Sequence, residues 1–323
     1  MRISTVLVTA AAMGAAAVLL HACASAPQGS SIGLPPTSVA PGFLGLTRHA
    51  DLTGPAQLPD GRVLYVSDLE KYAIEIFKYQ HRSWTKIGAI TTGISSPAGN
   101  WVDKKRNFYV ANFFGPNVTE YASSGNLIFT YSSGLKAPVD VTTDRFGDVY
   151  ATDFTNQTIT EYPQGRNFPL TCSLPEVPYG VAVDKGGDVF VTQLASAEIV
   201  EYQSGLFKSG CTGAVLPVTV PGAYGIAIDP QGNLVVCSFA SPAAVDIIAP
   251  PYTSITGTLG SGWGDPLYVT INKAGTQAYV SDQEKSYVVK VVSYPSGALL
   301  ATLGGANGLG TPFAAVDSNN YVP

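Results

Sequence analysis

The chain has 323 residues and a net charge of −5, so it lacks the basic surface with which a nucleic-acid binder displaces phosphate counterions. Only 13% of residues are charged, against about 25% in an ordinary soluble domain. The 34 glycines, 23 prolines and 17 tyrosines mark a turn-rich all-β protein, and 46% hydrophobic content supports a sizeable core. The single basic run, Lys104-Lys105-Arg106, falls in a predicted hairpin turn and reads as a solvated loop.

At the N-terminus, Arg2 precedes an apolar stretch from Val6 to Leu20, followed by Leu20-His21-Ala22-Cys23. A charged segment, an apolar segment and a small-residue cleavage site define a secretory signal. Residues 1–22 are therefore expected to be a signal peptide, with Cys23 as the lipidated residue of a bacterial lipobox. His21 is unusual there, and cleavage after Ala24-Ser25-Ala26 is the alternative, although Pro27 would then follow the scissile bond. Residues 23–54 read as a lipid anchor and flexible linker, richest in Ser, Pro and Gly. This places the protein in the bacterial cell envelope, lipid-anchored or periplasmic to extracellular, with membrane contact through the anchor alone.

Beyond residue 54 a degenerate unit of about 40–45 residues repeats. Pro138-Val139-Asp140-Val141-Thr142-Thr143-Asp144 leads through Gly147-Asp148 to Val149-Tyr150-Ala151-Thr152-Asp153. Pro178-Tyr179-Gly180-Val181-Ala182-Val183-Asp184 and Ala223-Tyr224-Gly225-Ile226-Ala227-Ile228-Asp229 open two further copies, and weaker ones start at Pro97, Pro266 and Pro312. Each Asp-x-x-Gly-Asp/Asn segment predicts a tight hairpin, in which the Asp accepts from its own turn and the Gly takes positive φ. Arg106 stands at the glycine position of one copy, so that turn is expected to be strained or of another type. A third strand alternates apolar and polar residues, as in Thr158-Ile159-Thr160-Glu161-Tyr162, and a variable fourth strand closes each unit.

Four antiparallel strands per unit make the blade of a β-propeller. Six first strands and six sets of second to fourth strands predict six blades over residues 55–323. The first set lacks its own opening strand and the last opening lacks followers, so the N- and C-terminal segments are expected to pair and close the ring. A seventh, partial blade using Gly54-Pro55-Ala56 is the alternative. Cys172 and Cys211 fall near the outer strands of neighbouring blades, which allows a bridge if their Cα atoms come within about 7 Å. Cys237, inside an apolar run, reads as a core residue.

The stretch Pro178 to Val191 resembles the NHL-repeat propellers of bacterial envelopes, and the resemblance spans roughly residues 55–323. It implies the fold and leaves function open, because such propellers include binding scaffolds and unrelated enzymes. There is also a distant similarity to gluconolactonase-type propellers, whose carboxylate-rich metal site starts with a Glu before Gly-Pro. The matching segment here is Thr53-Gly54-Pro55. Streptogramin-lyase-like propellers rely on histidine, and this chain has His21, His49 and His81 alone.

One polar residue per blade ends the second strand: Asp68, Asn112, Asp153, Gln193, Ser238 and Asp282. Such regularity suits strand-end capping better than ligand binding, and Phe113, Phe154, Leu194 and Phe239, which follow four of them, are expected to wedge between blades. Irregular positions on the same face, Asn100, Tyr179, Tyr224 and Trp263, are the candidate ligand-binding residues. The favoured function is a monomeric, non-catalytic binding scaffold without cofactor, whose ligand is a protein, glycan or small molecule. The alternative is a metal-dependent hydrolase or lyase holding calcium or another divalent ion on Asp68, Asp153 and Asp282 at the central channel.

Overall fold

The computed structural model describes residues 62–80, 83–163, 168–283 and 286–320. The leader, Cys23, the linker, Thr53-Gly54-Pro55, His49 and His81 lie outside the described residues. The strands form six four-stranded antiparallel sheets, an all-β six-bladed propeller.

In chain order, blade one holds Val63–Asp68 (β1), Ala73–Gln80 (β2) and Ser83–Ile90 (β3). Blade two is Pro97–Val102 (β4), Phe108–Asn112 (β5), Asn117–Tyr121 (β6) and Leu127–Tyr131 (β7). Blade three is Pro138–Thr143 (β8), Val149–Asp153 (β9), Thr158–Tyr162 (β10) and Leu170–Ser173 (β11). Blade four is Pro178–Val183 (β12), Val189–Gln193 (β13), Glu198–Tyr202 (β14) and Ala214–Val215 (β15), with a short helix, Gly205–Ser209 (α1), before its last strand. Blade five is Ala223–Ile228 (β16), Leu234–Ser238 (β17), Ala244–Ile248 (β18) and Gly257–Thr258 (β19). Blade six is Pro266–Ile271 (β20), Gln277–Asp282 (β21), Val288–Ser293 (β22) and Leu299–Leu303 (β23). The last strand, Pro312–Asp317 (β24), returns to blade one as its innermost strand.

That return closes the ring as the repeat count requires. Leu64 pairs with Asp317 and Asp68 with Pro312, and the Ser318 N–H donates to the Val63 carbonyl at 2.7 Å. Inner strands β8, β12, β16, β20 and β24 are buried along their whole length, which mostly apolar sequences permit in the last four, while β8 buries Asp140, Thr142 and Thr143. Outer strands such as β7 expose most of their residues.

The turns between first and second strands follow the Asp-led pattern. Asp144 Oδ1 accepts from the N–H groups of Phe146, Gly147 and Asp148 at 2.8–2.9 Å, and Asp229 Oδ1 accepts from Gln231 and Asn233. Of the two outcomes expected for the Arg106 turn, the structure shows the strained one, since the turn is of the same type as its glycine counterparts. Arg106 adopts φ 66°, its N–H bonds the Asp103 carbonyl at 2.9 Å, and Asp103 Oδ1 accepts from Lys105 and Asn107. Two bonds to the Asp103 side chain and one to its carbonyl hold an arginine where glycine costs least.

Hydroxyls one place before the polar strand ends stitch blade to blade. Thr152 donates to the Tyr179 carbonyl at 2.5 Å, Thr192 to the Tyr224 carbonyl, and Ser281 to the Phe313 carbonyl at 2.6 Å. Buried hydroxyls require such partners. At the corresponding place in blade five stands Cys237, a fully buried free thiol whose pKa burial pushes well up. Cys172 and Cys211 are bridged, with Cα atoms 5.4 Å apart, joining the outer edges of blades three and four.

Candidate functional site

The axis of the ring is filled by side chains. The third residue of successive inner strands reads Gly99, Asp140, Gly180, Gly225, Tyr268 and Ala314. A Cβ on Gly99 would meet Asp140, one on Gly180 would meet the backbone of Tyr224 and Ile226, and one on Gly225 would meet Leu267 and Tyr268. Small residues therefore let neighbouring strands close up around two large ones. The Tyr268 hydroxyl crosses from blade six to blade three and donates to Asp140 Oδ1 at 2.7 Å, lying 3.1 Å from the Asn100 carbonyl as well.

Asp140 also accepts from its own N–H-bearing neighbour Val141 and from Val181, at 2.8 and 2.9 Å. Burial nevertheless dominates and pushes its carboxyl up to about 7, with the three donors opposing. Burial and the facing carboxylate push the Tyr268 hydroxyl well above its usual value, so it stays a donor. Asn100, fully buried, donates to Ser67 Oγ at 2.9 Å, and its own Oδ1 has no partner.

Over this plug lies a layer of aromatic rings. Tyr179 and Tyr224 lie tilted at 39° with centroids 4.0 Å apart, and Phe154, Phe239 and Phe313 pack edge-on against them at 5.8–6.0 Å. Tyr179 and Tyr224 are 1% and 2% exposed, so the structure brings these two candidates together inside the core. Phe113 and Phe154 contact each other across blades two and three at 5.8 Å.

The six strand-end polar residues each serve their own blade. Asp68 accepts from Lys71, Gly310 and Thr311; Asp153 accepts from Lys136, Ala137 and Asn156. Asn112 accepts from Ser95 and donates to Asn117 and Thr119, while Ser238 donates to the Pro221 carbonyl. Gln193 accepts from Ser196 at 3.3 Å. Asp68, Asn112, Asp153 and Ser238 thereby tie the start of an inner strand to the end of its second strand, whereas Gln193 bonds the following turn. Among the described residues no three His, Cys, Asp or Glu side chains converge as a metal-ligand set, and these carboxylates are committed to backbone N–H groups. Their donor geometry does not fit a shared divalent ion.

Asp282 differs from its equivalents. It accepts from Gly264 and Asp265 like the others, and in addition forms an ion pair with Lys290 Nζ at 2.6 Å. Lys290 also donates to the Gly262 carbonyl at 3.1 Å and sits 5.1 Å from the centre of the Trp263 ring. The indole N–H donates to the Leu259 carbonyl at 2.7 Å, which fixes the ring. Trp263, Asp282, Lys290 and Ser286 line a cavity of about 370 Å³ that opens on the face carrying the loops between blades.

Three residues of this region are not marked out by the sequence pattern. Asp140 and Tyr268 stand out only as bulky polar residues in a column of glycine and alanine. Lys290 occupies the strand position held by Thr119 and Thr160 in blades two and three, a charge where the repeat wants a small polar group.

The fold and the site define a six-bladed propeller with a sealed axis and an off-axis cavity. No family model matches the chain, and no curated protein matches it. Among solved structures it is similar to a chain of a nidogen/laminin complex, at TM-score 0.67 and 15% identity, covering 80% of this chain and 98% of that one. It is also similar to a catalytically inactive virginiamycin B lyase from Staphylococcus aureus with quinupristin, at TM-score 0.54 and 13% identity, covering 80% and 86%. A streptogramin B lyase structure matches at TM-score 0.50 and 13% identity, covering 65% and 69%. At such identities the likeness speaks for the fold alone.

Proposed function

We propose that this protein is an exported, lipid-anchored propeller of the bacterial cell envelope that acts as a binding scaffold, related in its repeat to NHL propellers. The observation that carries the binding reading is the Trp263 cavity. Its wall combines an indole ring held in place with a lysine–aspartate pair that neutralises itself. A net-neutral polar wall beside an aromatic ring suits an uncharged, hydroxyl-rich ligand of the glycan class. Hydroxyl groups can accept from Lys290 and donate to the Gly262 carbonyl, while a C–H face lies along the ring. The strand-end carboxylates, by contrast, already hold the turns together.

The test is calorimetric titration of the purified full chain with a panel of neutral oligosaccharides and polyols, beside Trp263→Ala. Saturable binding that drops at least tenfold in the variant supports the reading. Equal binding by both proteins, or none across the panel, would overturn it. Calcium is expected to leave the melting temperature unchanged, and a clear rise would instead favour a metal-dependent site on Asp68, Asp153 or Asp282.

A further inference from the structure

In blade four the link between the third and fourth strands runs over residues 203–213, against 122–126 in blade two and 294–298 in blade six. This long link carries α1 across to the neighbouring blade. The N–H groups of Leu206 and Phe207 both donate to Glu161 Oε2 of blade three, at 2.7 and 3.3 Å. The Leu206 side chain is fully buried in one core cluster with Tyr150, Ile159 and Cys172. A Cβ on Gly205 would press on both Tyr150 and Glu161. The Cys172–Cys211 bridge ties the far end of the same segment to β11. Glu120, the corresponding carboxylate of blade two, is met instead by Asn107, Tyr109 and Tyr131.

Left to itself this segment has little to hold its shape. A helix of 5 residues is far below the length of about 12 at which isolated helices become marginal in water. Two non-glycine residues in the left-handed region flank α1, Ser204 at φ 58° and Cys211 at φ 63°. Such conformations persist where surrounding contacts over-determine them. Here those contacts are two clamps, the Glu161 carboxylate on the first turn and the bridge after the last. Beyond the bridge the link adds to the blade four sheet the short strand Ala214–Val215, and both of its residues are exposed. The three inner strands of blades three and four pair without it.

We infer that residues 204–211 form a redox-operated strap across the junction of blades three and four. With the bridge closed, the strap is clamped on Glu161; with the bridge reduced, it lets go while the ring stays folded. The reductant is a dithiol, and the partly buried Cys211 is the sulfur it meets first. The Cys172–Cys211 S–S bond takes up two electrons and two protons and breaks to two thiols, while the dithiol closes to its own disulfide. Cys172, 1% exposed, stays in its core cluster, so the released end is the Cys211 side. The strap is independent of the Trp263 cavity at blade six, and neither reading depends on the other.

The experiment follows amide hydrogen exchange of the full chain, oxidised and after excess dithiothreitol, with thiol counting by mass to confirm that the bridge has opened. On reduction the Leu206 and Phe207 amides are expected to exchange at least tenfold faster. Amides of β9 and β13 should hold their rates, and the protein should keep one cooperative melting transition. Cys211→Ser should show the fast rates without reductant and no further response to it. Unchanged exchange at Leu206 and Phe207 in the reduced chain would overturn the proposal, because the carboxylate alone would then hold α1. Faster exchange throughout β9 and β13 would overturn it as well, since the bridge would then hold the fold and not a strap. So would a bridge that stays closed in the folded chain under excess dithiothreitol.

Discussion

At the axis, every space left by a small residue is filled from another blade: Asp140 packs at Gly99, and Tyr268 packs at Gly225 and reaches across to Asp140. At the rim, two equivalent carboxylates find different partners among the described residues. The Glu161 carboxylate is met by backbone N–H groups of α1 from the next blade, and the Glu120 carboxylate by Asn107, Tyr109 and Tyr131 of its own. The contrast follows from geometry. Inner strands converge, so their side chains must interlock or clash, whereas outer strands splay and leave wedges, one of which α1 fills. The proposed binding site lies where one blade departs from the repeat, at Trp263 and Lys290.

The largest expected effect belongs to the axis. Asp140 has its carboxyl raised by burial, so its contribution to stability is fully present below its unfolded value near pH 4 and is lost as pH rises through about 7. Chemical denaturation between pH 5 and pH 8 should show a loss on the order of 3 kcal/mol from this group. Burial raises Asp103, Glu161 and Asp317 in the same direction, so the rim adds to the trend. Asp140→Asn should flatten most of the pH dependence. If the slope is unchanged, the axial carboxyl does not carry the proton linkage.

The rim comparison is sharpened by two glycines of similar backbone. Gly205 and Gly147 adopt φ 85° and 94°, but a Cβ on Gly147 meets open space and one on Gly205 meets Tyr150 and Glu161. Gly147→Ala should cost about 1 kcal/mol from backbone strain, and Gly205→Ala about 2–3 kcal/mol because α1 is also pushed off its carboxylate. Equal costs in urea titrations would mean that the filled junction contributes no packing. The smallest effect is at the Asp103-led turn. Arg106→Gly relieves a left-handed arginine and should stabilise by about 0.5–1 kcal/mol, read as a small rise in melting temperature.

The ring itself was legible because each repeat carries its own instructions. Pro178 to Val191 spells a buried strand, an Asp-led turn and a second strand, and the orphan opening at Pro312 called for closure on Val63–Asp68. The bridge between Cys172 and Cys211 was open from spacing alone and required the 5.4 Å approach of two outer edges. Contacts across the ring were hidden: Tyr268 and Asp140 are brought together by six-fold closure, and no local pattern relates them. The helix α1 was likewise missed, since its short sequence takes its conformation from Glu161 and the bridge rather than from helical periodicity. Of the site, Trp263 was legible as an irregular residue, while Lys290 gained meaning only from the ion pair with Asp282.

Off-axis recognition is tested most directly by mapping a bound neutral oligosaccharide onto the full chain by NMR, following the Trp263 indole N–H beside the amides of Asn100, Asp140 and Tyr268. Saturating shifts at Trp263, Lys290 and Asp282 with the axial residues unmoved are the predicted result. Shifts centred on the axial residues, with Trp263 unmoved, would contradict a sealed axis and move the binding site into the channel.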